Sequence, residues 1–353
     1  MPEDALFSPE ALEIPIVQAP MAGGPSTPAL AAAVTEAGGL GFLAAGYRTP
    51  AAVRGELEEL RSLTSRPFGL NLFVPSSPAE DRSSIERFAR ELEPDARRYG
   101  AELGDARYDD DGWEDKLALA SELRPDVISF AFGCPSREVI ADLREGGIAV
   151  WVTVTTPGEA AVARDVGADA LIAQGFEAGG HRASFDDRHP GDVGLLALLQ
   201  LLSAELDLPL IASGGVMTGR GIAAVLAAGA AAAQLGTALL LTAEAATSPA
   251  HRGALGGDVH TALTRTFSGR SARGIANRFM REHEHSAPHA YPEVHYLTSP
   301  MRAAAREAGD PDGINLWAGQ AYPLAREKDA AELVRELAEE ARQTLAEAER
   351  RAG

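Results

Sequence analysis

Short apolar stretches alternate with amphipathic stretches along most of the chain. The apolar stretches, such as IPIVQ (14–18) and DVISFAF (126–132), are rich in β-branched residues, and apolar residues between them recur at helical spacing. This alternation predicts βα units and a parallel sheet. The predicted strands number eight, at 14–18, 40–45, 68–74, 126–132, 149–154, 169–174, 208–213 and 231–236.

Strands that are apolar on both faces need helices on both sides of the sheet or closure into a barrel. Eight consecutive βα units favour closure, so the sequence predicts an α/β fold, a (β/α)8 TIM barrel. A doubly wound open sheet is the alternative, but such sheets usually have fewer strands and a Gly-rich turn after the first.

Two segments interrupt the βα period. Residues 76–111 keep helical spacing but carry more charge than their neighbours, and residues 244–323 are polar with many Arg and His residues. We expect both insertions to form a smaller substrate-cap lobe. A final amphipathic helix, with Leu333, Leu337, Ala341 and Leu345 along one face, should pack on the barrel wall. The barrel itself would then comprise residues 1–75, 112–243 and 324–353.

Composition indicates an ordinary soluble protein. The 353 residues are 45% hydrophobic and 24% charged, and no segment approaches the roughly 18 to 20 apolar residues of a membrane helix. The N-terminal MPEDALFSPEALEIP lacks the basic and hydrophobic regions of a secretory signal. The single cysteine, Cys134, cannot form an internal disulfide, which agrees with a reducing compartment. We therefore expect a cytoplasmic protein.

The chain is strongly acidic. Its 51 Asp and Glu residues against 32 Lys and Arg residues give a net charge of −19, a field that repels nucleic acid and anionic membranes. We expect neither as a partner, and predict a monomer or homodimer that acts on a small molecule. An anionic ligand would therefore have to be bound by nearby groups, such as backbone amides, that outweigh the negative net charge.

Glycine-rich loops follow several predicted strands, on the face where barrel enzymes carry their sites. SGGV (213–216) and QLGT (234–237) end the last two strands, and such loops frequently bind phosphate through backbone amides and a helix N-terminus. QGFEAGGHRA (174–183) sets two glycines before His181. Glycine allows close approach of a ligand, and histidine suits proton transfer or hydrogen bonding near neutral pH.

Three amides, Gln18, Asn71 and Gln174, stand at predicted strand ends. They are either buried polar groups with protein partners or hydrogen-bonding groups for a heteroaromatic ring. A phosphate cradle with scattered amides and one histidine, without a Walker lysine or a metal cluster, favours flavin mononucleotide (FMN) over a nucleoside triphosphate.

Three longer stretches resemble nitronate monooxygenases, formerly called 2-nitropropane dioxygenases. They are APMAGGPSTPALAAAVTEAGGLGFLAAGY, DALIAQGFEAGGHRA and LPLIASGGVMTGRGIAAVLAAGAAAAQLGTALL. APHAYPEVHYLTSPMRAAAREAG with NLWAGQ resembles the bacterial class I subgroup. The resemblance spans nearly the whole chain. It implies an FMN-binding barrel with a second lobe over the site. Such an enzyme oxidises alkyl nitronates, and in some cases nitroalkanes, with O2 to carbonyl compounds and nitrite.

The resemblance also implies roles for individual residues. His181 corresponds to the family's active-site histidine. FMN contacts are expected from Ala19, Met21, Gly23, Asn71, Gln174, Gly179, Gly180, Ser213, Gly214, Gly215, Gln234, Leu235, Gly236 and Thr237. Two departures are GGHRA in place of GGHRG, and Ala131 where some class I members carry a pocket histidine. Ala131 is expected to line the substrate pocket. Tyr291, Tyr296 and Trp317 either close that pocket or pack as aromatic residues between the lobe and the barrel.

Alternative functions and sites stay open at this stage. The pattern around His181 also occurs in flavin-dependent enoyl-acyl-carrier-protein and quinone reductases, so an FMN-dependent NAD(P)H reductase of a quinone or enoyl substrate is the main alternative. A non-catalytic binding barrel of the same architecture is another. Cys134 would be a nucleophile if its thiol pKa were lowered. REHEHSAPH (281–289) lacks a zinc-type context, so it predicts a solvated cap segment and no metal site.

Overall fold

The computed structural model describes residues 6–352. Its strands, in chain order, are β1 (Ile16–Gln18), β2 (Phe42–Ala44), β3 (Gly69–Phe73), β4 (Val127–Ala131), β5 (Ala149–Val154), β6 (Ala170–Gln174), β7 (Gly180–His181), β8 (Leu210–Ser213), β9 (Ala232–Leu235), β10 (Thr261–Thr264) and β11 (Ala272–Ile275).

The α-helices alternate with most of these strands. They are α1 (Pro28–Glu36), α2 (Pro50–Leu63), α3 (Arg82–Arg98), α4 (Trp113–Leu123), α5 (Arg137–Glu145), α6 (Pro157–Val166), α7 (Leu195–Glu205), α8 (Gly219–Ala227), α9 (Pro249–Leu255), α10 (Arg278–His283), α11 (Glu293–Glu307) and α12 (Ala330–Ala352).

Eight parallel strands form a nearly closed barrel. Their spatial order is β1-β9-β8-β6-β5-β4-β3-β2, and Val17 of β1 forms a parallel bridge with Leu40, just before β2. The predicted TIM barrel is therefore confirmed, and each predicted strand contains an observed one. The other three strands form a small antiparallel sheet in the order β10-β11-β7.

The βα connections end in the same way at five places. A Ser or Thr precedes the helix, and its hydroxyl accepts a hydrogen bond from the third amide of the first turn. Such N-caps satisfy amides that the helix itself leaves free. The capping residues are Thr27, Thr49, Ser136, Thr156 and Thr218. They fix where each helix starts beyond a strand, and hence the geometry of the site-bearing loops.

Alternate strand residues enter two different apolar layers, as the period of two requires. In β5, Ala149 and Trp151 join the cluster inside the barrel, whereas Val150 and Val152 join the larger cluster under the helices. Helix α12 contacts α8 and α1. Its Leu333, Leu337 and Ala341 are buried, but Leu345 is exposed and the prediction for it is wrong, since the helix runs past the barrel wall there.

A second hydrophobic cluster lies between the two insertions. Phe88 and Leu92 of α3 pack with Phe267, Phe279 and Met301 from the later segment. A cap lobe built from residues 76–111 and 244–323 requires such a shared cluster, although the division itself stays a prediction. None of the helices in the described range 6–352 is long and apolar enough to cross a membrane.

Candidate active site

One cavity of about 360 Å³ lies at the carboxyl ends of the barrel strands. Both the barrel loops and the later insertion line it. It brings together sixteen of the residues singled out above, which are Ala19, Met21, Gly23, Asn71, Ala131, Gln174, Gly179, Gly180, His181, Ser213, Gly214, Gly215, Gln234, Gly236, Thr237 and Trp317.

The loop after β8 presents bare backbone to this cavity. Gly214 has a φ of 123° and Gly215 a φ of 69°, a region that favours glycine. Within residues 6–352, the amides of Gly214, Gly215 and Gly236 have no hydrogen-bond acceptor in the protein. Free amides beside the N-terminus of α8 are what a phosphate group requires.

Position 179 needs glycine for a different reason, which is the close approach of another backbone segment. A Cβ atom there would lie 2.4 Å from the amide nitrogen of Gly319. That amide donates to Thr237 Oγ1 at 3.0 Å, so the loop after β6, the segment around Gly319 and the loop after β9 are held together. The glycine therefore allows two backbone segments to cross at the cavity wall.

The predicted amides fall into two groups. Gln18 bonds to Ser26 and Phe42 and does not line the cavity, so it is a satisfied core residue. Gln174 lines the cavity, but its side chain donates to the His181 carbonyl at 3.1 Å and accepts from Arg182 at 3.0 Å. Gln174 therefore holds the histidine loop in place.

Gln234 and Asn71 remain available to a ligand. Gln234 is only 4% exposed and lines the cavity, so its amide faces the space that a ligand would occupy. Asn71 donates to Ser129 at 3.0 Å and 3.1 Å, which leaves its carbonyl oxygen free. Buried polar groups need hydrogen-bond partners, and a polar ring edge in the cavity would supply them.

His181 enters the cavity from the short strand β7. Its backbone pairs with Ala272 of β11, and its Nε2 lies 2.8 Å from the Ser268 hydroxyl. Tyr291 and Trp317 surround the ring, with centroids 5.9 Å and 5.5 Å from it. Burial, with further contributions from Arg270 and Arg302, lowers the pKa of His181 to about 3. The imidazole is therefore neutral near pH 7.

Several lining residues lay outside the sequence predictions. Tyr47 lines the cavity with a φ of 66°, and Phe132 with a φ of 73°; such values are rare for bulky residues and often mark functional sites. Ser268, His295 and Arg302 come from the later insertion. The sequence indicated only that these residues belong to a polar segment. It could not show which of their side chains point into the cavity.

Three predicted site residues do not line the main cavity. Leu235 is buried in the larger cluster under the helices, because alternate residues of β9 point to opposite faces of the sheet. Tyr291 and Tyr296 line a smaller neighbouring cavity. The Tyr291 hydroxyl donates to Tyr47 at 3.1 Å, so Tyr291 packs behind the wall of the main cavity instead of forming it.

Two other sequence hypotheses require correction. Burial raises the pKa of the Cys134 thiol to about 11, which opposes a nucleophilic role. In the segment 281–289, His283 is buried and its Nε2 lies 2.8 Å from Asp95, so this residue is not solvated. Arg278 also contacts Asp95, at 2.7 Å. The positive guanidinium occupies the place that a cation near Asp95, Glu282 and His283 would need.

A deep cavity with a few polar groups at the carboxyl end of a barrel is the arrangement of an enzyme active site. The sequence model of the nitronate monooxygenase family matches residues 9–340. A nitronate monooxygenase from Pseudomonas aeruginosa is 44% identical, over 94% of this chain and 97% of that protein. One from Paraburkholderia phytofirmans is 42% identical, over 95% and 94%.

Solved structures agree. The nitroalkane oxidase from Streptomyces ansochromogenes superposes with a TM-score of 0.93 at 50% identity, covering 96% of this chain and 98% of that one. FabK from Thermotoga maritima reaches 0.76 at 27% identity, covering 96% of both chains. The chain belongs to the nitronate monooxygenase family and is an oxidoreductase.

Proposed function

We propose that this protein is a cytoplasmic, FMN-dependent enzyme that oxidises alkyl nitronates with O2. In the overall reaction the carbon–nitrogen bond of the nitronate breaks, the carbon gains an oxygen atom from O2, and the nitrogen leaves as nitrite. The observation that carries the proposal is the placing of free backbone amides, the side-chain amides of Gln234 and Asn71 and a neutral histidine around one cavity. Membership of the family supports it.

The residues present fit FMN. The amides of Gly214, Gly215 and Gly236 would hold the phosphate, with the dipole of α8 behind them. Gln234 and Asn71 would bind the polar edge of the ring. When bound, the flavin supplies the electron-accepting group between substrate and O2.

His181 has the chemistry to orient the substrate. As a neutral imidazole it can donate one hydrogen bond to a nitro oxygen, which holds the α-carbon in a reactive position. If a neutral nitroalkane binds instead, the same imidazole can accept the α-proton, because it is unprotonated near pH 7. The two substrate forms therefore demand different things of His181.

Flavin analysis of the purified protein tests the cofactor. The protein should be yellow and should release one equivalent of FMN on denaturation. Recovery of the dinucleotide flavin would contradict this assignment, because the free amides of the two loops form a binding site for a single terminal phosphate. A colourless protein that cannot be loaded with flavin would favour a non-catalytic barrel.

A reductase is the second candidate. The loop pattern that carries His181 supports it, since enoyl and quinone reductases share that pattern. Such an enzyme would take electrons from NADH or NADPH and pass them to a quinone or enoyl substrate, without nitrite formation. Rapid reduction of the bound flavin by a pyridine nucleotide distinguishes it.

A further inference from the structure

Arg302 is a buried cation without a counter-charge. It lies on α11, is 7% exposed and lines the cavity. Its Nε donates to Thr298 Oγ1 at 3.0 Å, and its Nη1 to Asn315 Oδ1 at 3.0 Å. Its Nη2 donates to Ser299 Oγ at 2.9 Å. All of these acceptors are neutral, and within residues 6–352 no carboxylate forms a salt bridge with it.

The guanidinium nevertheless keeps its charge. Burial lowers the pKa of Arg302 to about 10, which still leaves it protonated near pH 7. A buried charge is costly unless an opposite charge accompanies it. Four residues further along α11, Arg306 also lines the cavity, is exposed, and has no salt bridge among the described residues. In a protein of net charge −19, this wall is locally positive.

Arg302 also determines the tautomer of a second histidine. Its Nη2 lies 3.3 Å from His295 Nδ1, and a guanidinium can only donate. The same Nη2 donates to the His295 carbonyl at 3.0 Å, and a proton on Nδ1 would point at the guanidinium, so the charge of Arg302 favours the tautomer with the proton on Nε2. Burial, with a further contribution from Arg302, holds the pKa of His295 well below its usual range, so the ring is neutral.

The His295 ring is held rigidly. It stacks on Tyr47 with ring centroids 3.9 Å apart and planes 5° apart. His295 lines the cavity, and its side-chain contact with Arg302 is made through Nδ1, not Nε2. The Nε2–H group is a fixed donor next to an uncompensated positive charge.

We propose that His295 and Arg302 form an anion-binding pair that receives the nitro oxygens of the substrate and selects the charged nitronate over the neutral nitroalkane. His295 donates from Nε2, and Arg302 supplies the charge and fixes the donor's orientation. Arg302 is thus a positioning and charge-supplying residue. This inference rests on the proposed function for the identity of the anion, but the binding of an anion at the pair does not.

The first experiment measures tautomer and anion binding in the flavin-loaded protein. Nitrogen NMR of protein labelled with 15N-histidine should show His295, assigned by its loss in His295→Gln, as the neutral Nε2–H form. Sodium nitrate, a planar anion with nitro-like oxygens, should shift that signal on titration. A protonated Nδ1, or a His295 signal that nitrate leaves unchanged, would overturn the proposal.

Variants separate the donor from the charge. Arg302→Met removes the charge, and Arg302→Lys retains it. His295→Phe retains the stacking on Tyr47 without a donor, whereas His295→Gln retains an N–H. We expect nitrate to bind about 10- to 100-fold more weakly to Arg302→Met and His295→Phe, the range for a lost hydrogen bond to a charged group. Binding should be closer to wild type in the other two. Equal binding to all five proteins would contradict the proposal, and His295→Phe decides the matter if Arg302→Met does not fold.

Kinetics then connect the pair to the reaction. The KM for a pre-formed nitronate should rise about 10- to 100-fold in His295→Phe, while kcat falls less and the KM for the parent nitroalkane stays the same. If wild type releases no nitrite from any substrate, the proposed function fails while the nitrate results still judge the pair. If wild type releases nitrite and the KM for the nitronate is unchanged in the variant, the pair is not a substrate site.

Discussion

His181 Nε2 and Ser268 Oγ lie 2.8 Å apart, although 87 residues separate them in the chain. The pairing of β7 with β11 brings them together. The Ser268 hydroxyl also donates to the Arg270 carbonyl at 3.2 Å. Ser268 can accept from His181 Nε2–H, or turn its proton from the Arg270 carbonyl to Nε2, so Nδ1 is the nitrogen left to donate to a nitronate or to accept a proton.

Ser268→Ala should therefore reduce activity by loosening His181. A net hydrogen bond of about 0.5–1.5 kcal/mol corresponds to roughly a 2- to 10-fold lower kcat/KM. The decrease should be larger with the nitroalkane, which needs proton transfer, than with the nitronate. Ser268→Thr keeps the hydroxyl and should recover most of the activity. Equal losses in both variants would mean that packing and not the hydrogen bond matters.

His181→Asn separates the two possible roles of the imidazole. Asparagine keeps a donor but cannot take a proton, so activity on pre-formed nitronate should largely remain. Activity on the nitroalkane should fall by about 10²–10⁴-fold, the usual contribution of a general base. Nitrite release from both substrate forms is the measurement. A variant that uses the nitroalkane as well as wild type does would exclude His181 as the base.

Gly215→Asp should abolish FMN loading, because a carboxylate would occupy the place proposed for the phosphate. Gly215→Asn is the matched control, since it imposes the same strain at a φ of 69° and the same Cβ contact with Glu177 at 3.1 Å, without the charge. Flavin content and circular dichroism are read together. If the Asp variant binds FMN at wild-type stoichiometry, the phosphate lies on another loop.

The stability of the protein should fall as the pH is lowered from about 6.5 to about 4. Burial lowers the pKa of His251 from 6.5 to about 4, so in this window the unfolded chain binds a proton that the folded chain does not. His251→Phe should remove up to about 3 kcal/mol of that decrease, at 1.36 kcal/mol per pKa unit. His285→Phe, at an exposed position, is the control. Parallel curves for wild type and His251→Phe, from urea unfolding at several pH values, would contradict this assignment.

The sequence predicted the barrel well because each strand and helix carries its own local signal. The buried run at β5 and the Thr-Pro starts of α1, α2 and α6 need no distant partner to be recognised. The bare loops at Gly214 and Gly215 were predictable for the same reason. Their glycines stand directly after a strand whose end must face the site.

The cap side of the cavity was not predictable in the same way. Ser268, His295 and Arg302 reach the site through pairing between β7 and β11 and through the packing of α11, which link distant parts of the chain. Tyr291 was expected in the pocket, but Tyr47, to which the Tyr291 hydroxyl donates, lines the main cavity in its place. Gln174 looked like a ring-binding amide, yet its hydrogen bonds hold the loop after β6.

Oxygen uptake and nitrite release by the FMN-loaded protein, with a pre-formed alkyl nitronate as the only added substrate, test the proposed function most directly. We expect one nitrite and one carbonyl product for each nitronate consumed, with half an equivalent of O2 taken up. The same protein should need no NADH or NADPH for turnover. If no nitrite appears from nitronate or nitroalkane, while NADH or NADPH rapidly reduces the flavin under anaerobic conditions, the protein is a reductase and the proposed function is wrong.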